Sequence, residues 1–218
     1  MTRTGGGNTF ARANLVFALA VTGSTDEAVL AADGLIEAAE ATGNPWVLAY
    51  TLFAWGYAFR GTDSGGALEA LRRGVRVAQD SGNRFFETQF SYWLCGLEAE
   101  QGDGVSALKY LAVAIRNNHE SGNLGMLHNP LAILAALLDR LGHFESAATI
   151  AGFAAVNPMA TGTLPELGTA IRHLCEVLGD QTYESLARKG KTMTTTAITT
   201  YAHDQIDQTR AELNAVSE

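Results

Sequence analysis

The sequence predicts an all-α protein, a right-handed α-solenoid of helical hairpins with about 10–11 helices. Two observations predict it. A Gly-Asn pair recurs at Gly43-Asn44, Gly82-Asn83 and Gly122-Asn123, spaced by 39 and 40 residues, and a second glycine series, Gly23, Gly61, Gly102 and Gly142, interleaves with it at 38, 41 and 40. Between the glycines the chain is apolar and rich in alanine and leucine, which favour helix. A fixed period near 40 with a break at each half-period describes a row of helix pairs.

The elements follow in order. Met1–Asn8, with Gly5-Gly6-Gly7, reads as a flexible leader; it lacks the preceding strand and the Gly-Lys-Ser/Thr ending of a phosphate loop. Helix 1 spans Thr9–Thr22 and is apolar nearly all round. Helix 2, opened by Ser24 or Thr25 with Asp26 and Glu27 in its first turn, runs unbroken to Gly43 on a stripe of Val29, Leu30, Leu35, Ile36 and Ala39. Asn44-Pro45 is a cap followed by proline at the first helical position, and starts helix 3. Helix 4 begins near Asp63, helix 5 at Asn83, helix 6 at Asp103 and helix 7 at Asn123. Pro130 inside helix 7 predicts a kink there or a true start near Asn129. Helix 8 covers about residues 145–155.

First helices carry the aromatics: Trp46, Tyr50, Phe53, Trp55 and Tyr57 on helix 3, then Phe85, Phe86, Phe90, Tyr92 and Trp93 on helix 5. Internal matches fall 40 apart: Phe53, Trp93 and Ile133; Gly56, Gly96 and Ala136; Ala67, Ala107 and Ala147. The small residues mark places where one helix approaches another closely. Asn157-Pro158 opens a loop to Thr163, and the repeat is lost beyond it. Helix 9 runs from Pro165 to Gly179, and a short helix of about residues 182–188 ends at Gly190. The threonine-rich stretch after Thr192 reads as a strand or, preferably, as a threonine-capped helix on a stripe of Ile198, Tyr201, Ala202, Ile206, Thr209 and Leu213. Three regions result: leader 1–8, repeats 9–156 and a helical extension 157–218 packing on the last repeat.

The balance of residue types excludes several function classes. A hydrophobic fraction of 47% with 17% charged residues supplies a core and argues against disorder. A net charge of −8 repels phosphate backbones, so direct nucleic-acid binding is not expected. No apolar run is long enough for a membrane span, no secretory signal pattern is visible, and two isolated cysteines, Cys95 and Cys175, make no disulfide framework; together these point to the cytoplasm. No metal, cofactor or catalytic site is expected. The five histidines form no ligand motif, and His173 and Cys175 project about 200° apart on a helix. Cys95 lies among Trp93, Leu94 and Leu97 and reads as core. Glu98 and Glu100 read as a solvated face, and Arg188, Lys189 and Lys191 as a solvated helix end or a dock for an acidic partner.

The alternating helices with small residues at closest approach, and the partial echo Trp55-Gly56-x2-Phe59, resemble tetratricopeptide repeats over residues 8–155. The tail, Leu178-Gly179-Asp180-x2-Tyr183-x3-Ala187-x2-Gly190-x2-Met193-Thr194-x2-Ala197-x3-Tyr201-Ala202, resembles the end of the helical-repeat region in large bacterial signalling ATPases. Those are multidomain regulators, some cyclase-linked, often with a LuxR-type DNA-binding end. Ala67-Leu-Glu-Ala-Leu-Arg-Arg-Gly, followed by Ala78-x2-Ser-Gly-Asn83, is similar to that family's repeats. P-loop, cyclase and helix-turn-helix motifs are absent, and Thr195-Thr196 replace the usual acidic residues, so the resemblance implies only the sensor or interaction segment, as a fragment or a stand-alone relative.

The expected function is therefore a non-catalytic signalling module. In such solenoids the first helices line the concave face, which takes a protein or small-molecule effector. The candidate binding residues are Trp46, Tyr50, Gln89, Tyr92, Trp93, His128 and Asn129, with Gln89 and Asn129 stacked in neighbouring repeats. The competing reading is that the aromatics merely fill space between hairpins. A further alternative is a scaffold that self-associates into a homodimer through the apolar helix 1.

Overall fold

Residues 4–100, 103–158 and 164–217 are described by a computed structural model. They form twelve α-helices, and no strand occurs among the described residues. The helices are α1 (Thr4–Val21), α2 (Thr25–Ala31), α3 (Leu35–Ala41), α4 (Pro45–Phe59), α5 (Ser64–Asp80), α6 (Arg84–Glu100), α7 (Gly104–Glu120), α8 (Leu124–Arg140), α9 (Phe144–Ala154), α10 (Pro165–Leu178), α11 (Asp180–Lys191) and α12 (Thr195–Ser217).

The helix ends are local chemistry. Asn44 Oδ1 accepts from the Trp46 N–H at 3.0 Å, Asp63 Oδ1 from Gly66 at 2.9 Å, Asn83 Oδ1 from Phe86 at 3.2 Å and Asp103 Oδ1 from Ser106 at 2.9 Å. Each cap satisfies one of the orphan donors of a helix start, worth about 1 kcal/mol. Asn123 starts α8 without a side-chain cap. At the other ends one closure recurs. The Gly82 N–H donates to Gln79 O and the Asn83 N–H to Ala78 O; the same pair of bonds forms at Gly122-Asn123 and at Gly142-His143. It needs a left-handed residue, and φ is 66°, 71° and 84° at these three glycines. The two glycine classes of the sequence thus share one closure. Gly61 departs from it and has no positive φ, and Gly102 lies outside the described residues.

Several boundaries differ from the sequence expectation. Thr4–Asn8, expected in the leader, belong to α1, and Met1–Arg3 lie outside the described residues. Helix 2 is two helices. Gly34 sits at φ 61°, and the Arg12 guanidinium of α1 donates to Asp33 O at 2.8 Å and Ala31 O at 3.4 Å, satisfying carbonyls that the break releases. The buried residues are accordingly Ala28, Ala32, Leu35 and Ala39, while Leu30 is 78% exposed. Helix α8 starts at Leu124 and runs through Pro130, which removes only the N–H that would bond Met126 O. Gly190, expected just past the end of its helix, is the last-but-one residue of α11 and is buried. The threonine-rich stretch is helical, with Thr194 Oγ1 accepting from the Ala197 N–H at 3.2 Å, and Ile198, Ala202, Ile206 and Thr209 are buried along one stripe.

The contacts divide the chain into two compact units, Met1–Leu97 and Glu98–Glu218, whereas the repeat in the sequence stops at 156. In the first unit α1 packs on α2, α3 and α4, and α4 pairs with α5. Its small-residue core joins Ala13, Val16, Ala20, Ala28, Ala32, Leu35, Ala54 and Ala58. Close approach is real at Gly56, where a Cβ would come within 2.7 Å of Leu71 Cγ. Gly74 gives space to a ring: a Cβ there would meet Phe90 Cζ at 2.1 Å. Gly96 is exposed, and a Cβ on it would meet no described atom within 4 Å.

In the second unit α9 is the centre. Helices α8, α10, α11 and α12 all pack on it, and every residue from Ser146 to Ala154 is buried. Small side chains, among them Ala147, Ala148, Ala151 and Gly152, let four helices come close to one short helix. Helix α10 also packs on α8, and α12 also reaches α7 and α8.

Candidate functional site

The sequence-derived binding residues fall in both units. Trp46, Tyr50, Gln89, Tyr92 and Trp93 lie on α4 and α6 in the first; His128 and Asn129 lie on α8 in the second.

In the first unit the aromatics form a continuous layer over α1, α4 and α6. Phe10 meets Trp46 at 4.8 Å and Tyr50 at 5.1 Å, Trp46 stacks on Tyr50 at 5.8 Å, and both face Phe86. Further along, Phe17, Phe53 and Phe90 pack in series, and Tyr57 meets the edge of Trp93 at 4.8 Å, with Arg60 over the Tyr57 ring at 3.8 Å. Phe53, Phe86 and Phe90 are buried and fill space between helices. Trp46 and Phe85 are not: they keep 44% and 66% of their surface in water at one end of the layer. Tyr50 is half-buried and donates to Asn14 Oδ1 at 2.7 Å; burial raises its pKa, so the phenol stays neutral and a donor. Gln89 is half-buried on α6. The layer is thus core along most of its length and an exposed aromatic surface at the Phe10–Trp46–Phe85 end.

In the second unit His128 is already engaged. Its Nδ1 lies 3.3 Å from Ala154 O, and its ring stacks on Phe153 at 4.9 Å, so it ties α8 to α9. Asn129 is half-buried beside it.

Sequence reasoning missed a different constellation. His173 Nδ1 on α10 is 2.8 Å from Asp139 Oδ1 on α8, and Phe144 stands edge-on to the imidazole at 5.8 Å. Asp139 is 6% exposed, whereas the His173 side chain is 48% exposed. Asp139 also lines a groove of about 350 Å³ between α8 and α10, with Ala136, Arg140, Glu166, Thr169 and Ala170. The available signal was an acid on the apolar stripe of α8, one turn after Ala135: a buried carboxylate requires a partner.

Other chemistry resolves simply. Cys95 is core, its Sγ 2.9 Å from Tyr92 O. Burial, then the charges of Asp180, Glu184 and Glu176, push the Cys175 thiol up, which suppresses the reactive thiolate. Glu98, expected on a solvated face, is buried. The basic cluster splits: Arg188 and Lys191 line a pocket beside Tyr183 on the α9–α11 side, while Lys189 approaches the Tyr201 ring at 5.7 Å. Among the described residues no cluster of three or more His, Cys, Asp or Glu could hold a metal ion, and no helix is long and apolar enough to cross a membrane. No protein-family model, curated protein or solved structure matches the chain.

Proposed function

We propose that the chain is a non-catalytic, cytoplasmic helical-repeat module that binds a protein segment on the exposed aromatic end of the α4–α6 layer. In this reading its hairpins form a right-handed, tetratricopeptide-like solenoid. It serves as the sensor or interaction region of a bacterial signalling regulator of the ATPase-linked kind its tail resembles. The observation that supports it is the exposure of Trp46 and Phe85 beside rings that are otherwise buried. Large aromatics left in water at one place are the usual anchors of protein interfaces. The acidic balance disfavours nucleic acid as the partner.

A displayed peptide library panned against the purified chain tests this. Peptides are expected to be enriched and to lose tenfold or more in affinity with Trp46→Ala or Phe85→Ala, and Phe85→Ala, at the more exposed ring, is expected to leave the fold intact. Absence of enriched peptides, binding indifferent to both substitutions, or nucleotide hydrolysis by the chain would each refute the reading. A second reading, self-association, has the support of Leu15, Val21 and Leu30, all more than half exposed on α1 and α2. Light scattering showing a monomer at high concentration removes it.

A further inference from the structure

We propose that His173 is a phosphoryl-acceptor site, its Nε2 a nucleophile whose tautomer is set by Asp139. The inference stands on the second unit alone and does not depend on the aromatic face.

A carboxylate can only accept, so with Asp139 Oδ1 2.8 Å from Nδ1 the proton of the neutral imidazole sits on Nδ1. The Nε2 lone pair is left free on a ring that is half exposed. Nucleophile, orienting carboxylate and access therefore coincide, the pattern of an activated imidazole. The class of electrophile is inferred from two cations next in sequence to the pair, Arg140 after Asp139 and Arg172 before His173. Arg140 lines the adjoining groove, and Arg172 donates to Thr169 Oγ1 at 3.2 Å, one turn before His173. Neither guanidinium has an ion-pair partner among the described residues. Two such cations suit a phosphoryl dianion, which guanidinium binds in a fork. In the groove lining Arg140 stands beside two carboxylates, Glu166 and Asp139, of which Asp139 is engaged by His173.

The step balances. The Nε2 lone pair attacks phosphorus of an N–P donor, the N–P bond breaks, and ammonia leaves with its own protons when the donor is phosphoramidate. The ring, still carrying the Nδ1 proton, becomes cationic, and the Asp139 carboxylate compensates that charge. Because Asp139 is buried, its field on the ring is little screened by water.

The experiment treats the full chain with phosphoramidate beside N-acetylhistidine in the same reaction. Phosphorus NMR and fragmentation mass spectrometry follow the label. His173 is expected to be labelled faster than N-acetylhistidine and than His119, His128, His143 and His203, and His173→Gln to remove that label. Asp139→Asn, whose amide can also donate and so favour the wrong tautomer, is expected to slow labelling roughly tenfold or more. Nitrogen NMR of the wild-type ring is expected to show the Nδ1–H tautomer, and an Nε2–H tautomer overturns the proposal. Labelling of His173 no faster than N-acetylhistidine overturns the proposal, and so does a folded Asp139→Asn chain labelled at the wild-type rate. If that variant fails to fold, the wild-type competition and tautomer decide alone.

Discussion

Gly190→Ala puts local preference and tertiary packing in direct opposition. Gly190 is the last-but-one residue of α11, and α11 packs on the central helix α9. In an exposed helix interior the change is stabilising by about 1 kcal/mol, because alanine loses less backbone entropy than glycine. Here a Cβ would stand 1.8 Å from Thr149 O, 2.8 Å from Thr149 C and 3.3 Å from Phe153 N. All three atoms are backbone, so no side chain can rotate away. The reciprocal contact is as tight: a Cβ on Gly152 would meet Ala187 O at 2.1 Å. Restoring ordinary contact requires the two helices to separate by roughly 1.5 Å, which loosens packing on both sides of α9. Overpacking typically costs 1–3 kcal/mol, and a backbone-on-backbone clash belongs at or above the top of that range. The net expectation is a loss of about 2–3 kcal/mol, a large share of the 5–15 kcal/mol of a typical domain. Urea unfolding followed by circular dichroism measures it. Gly168→Ala is the control: it is exposed in α10 with no described atom within 4 Å of its Cβ, and is expected to gain about 0.5–1 kcal/mol. A Gly190→Ala midpoint equal to or above wild type would refute the packing argument.

Three more predictions rest on single features. Thr51 carries a buried hydroxyl with no hydrogen-bond partner among the described residues, so the near-isosteric Thr51→Val is expected to stabilise the first unit by about 1 kcal/mol in the same unfolding assay; destabilisation would mean that the hydroxyl has a partner. Arg12→Met removes the donor to Ala31 O and Asp33 O and is expected to cost about 1 kcal/mol, with faster amide hydrogen exchange confined to α2 and α3. His203 has its pKa lowered, first by burial and then by Arg116, so the unfolded chain takes up the proton more readily; its contribution is intact above the unfolded value near 6.5 and is lost as pH falls below it. His203→Gln is therefore expected to flatten the fall in thermal midpoint between about pH 7 and 5, and an unchanged slope would contradict the assignment.

Much of the helix map was legible because helix ends are decided within a few residues. Asn44, Asp63, Asn83 and Asp103 cap through bonds that span two or three positions, and the closures at Gly82, Gly122 and Gly142 span five. Ala67, Ala107 and Ala147, read as close-approach positions, are all fully buried. The errors have a common cause. Gly34 and Gly190 look alike in the sequence, as lone glycines in helical stretches, yet one breaks a helix and the other admits a neighbour. The difference is made by Arg12, 21 residues from the carbonyl it satisfies at Asp33, and by Thr149 on a different helix.

The sequence by itself thus determined the helical class, the period of the repeat and most helix ends, because those depend on backbone donors and acceptors that nearby side chains satisfy. Only the tertiary structure decided that α9 is buried on every side, that the aromatic layer surfaces at Trp46 and Phe85, and that Asp139 meets His173 across 34 positions. Those outcomes depend on which helix faces meet and at what distance, and no local hydrogen bond encodes that.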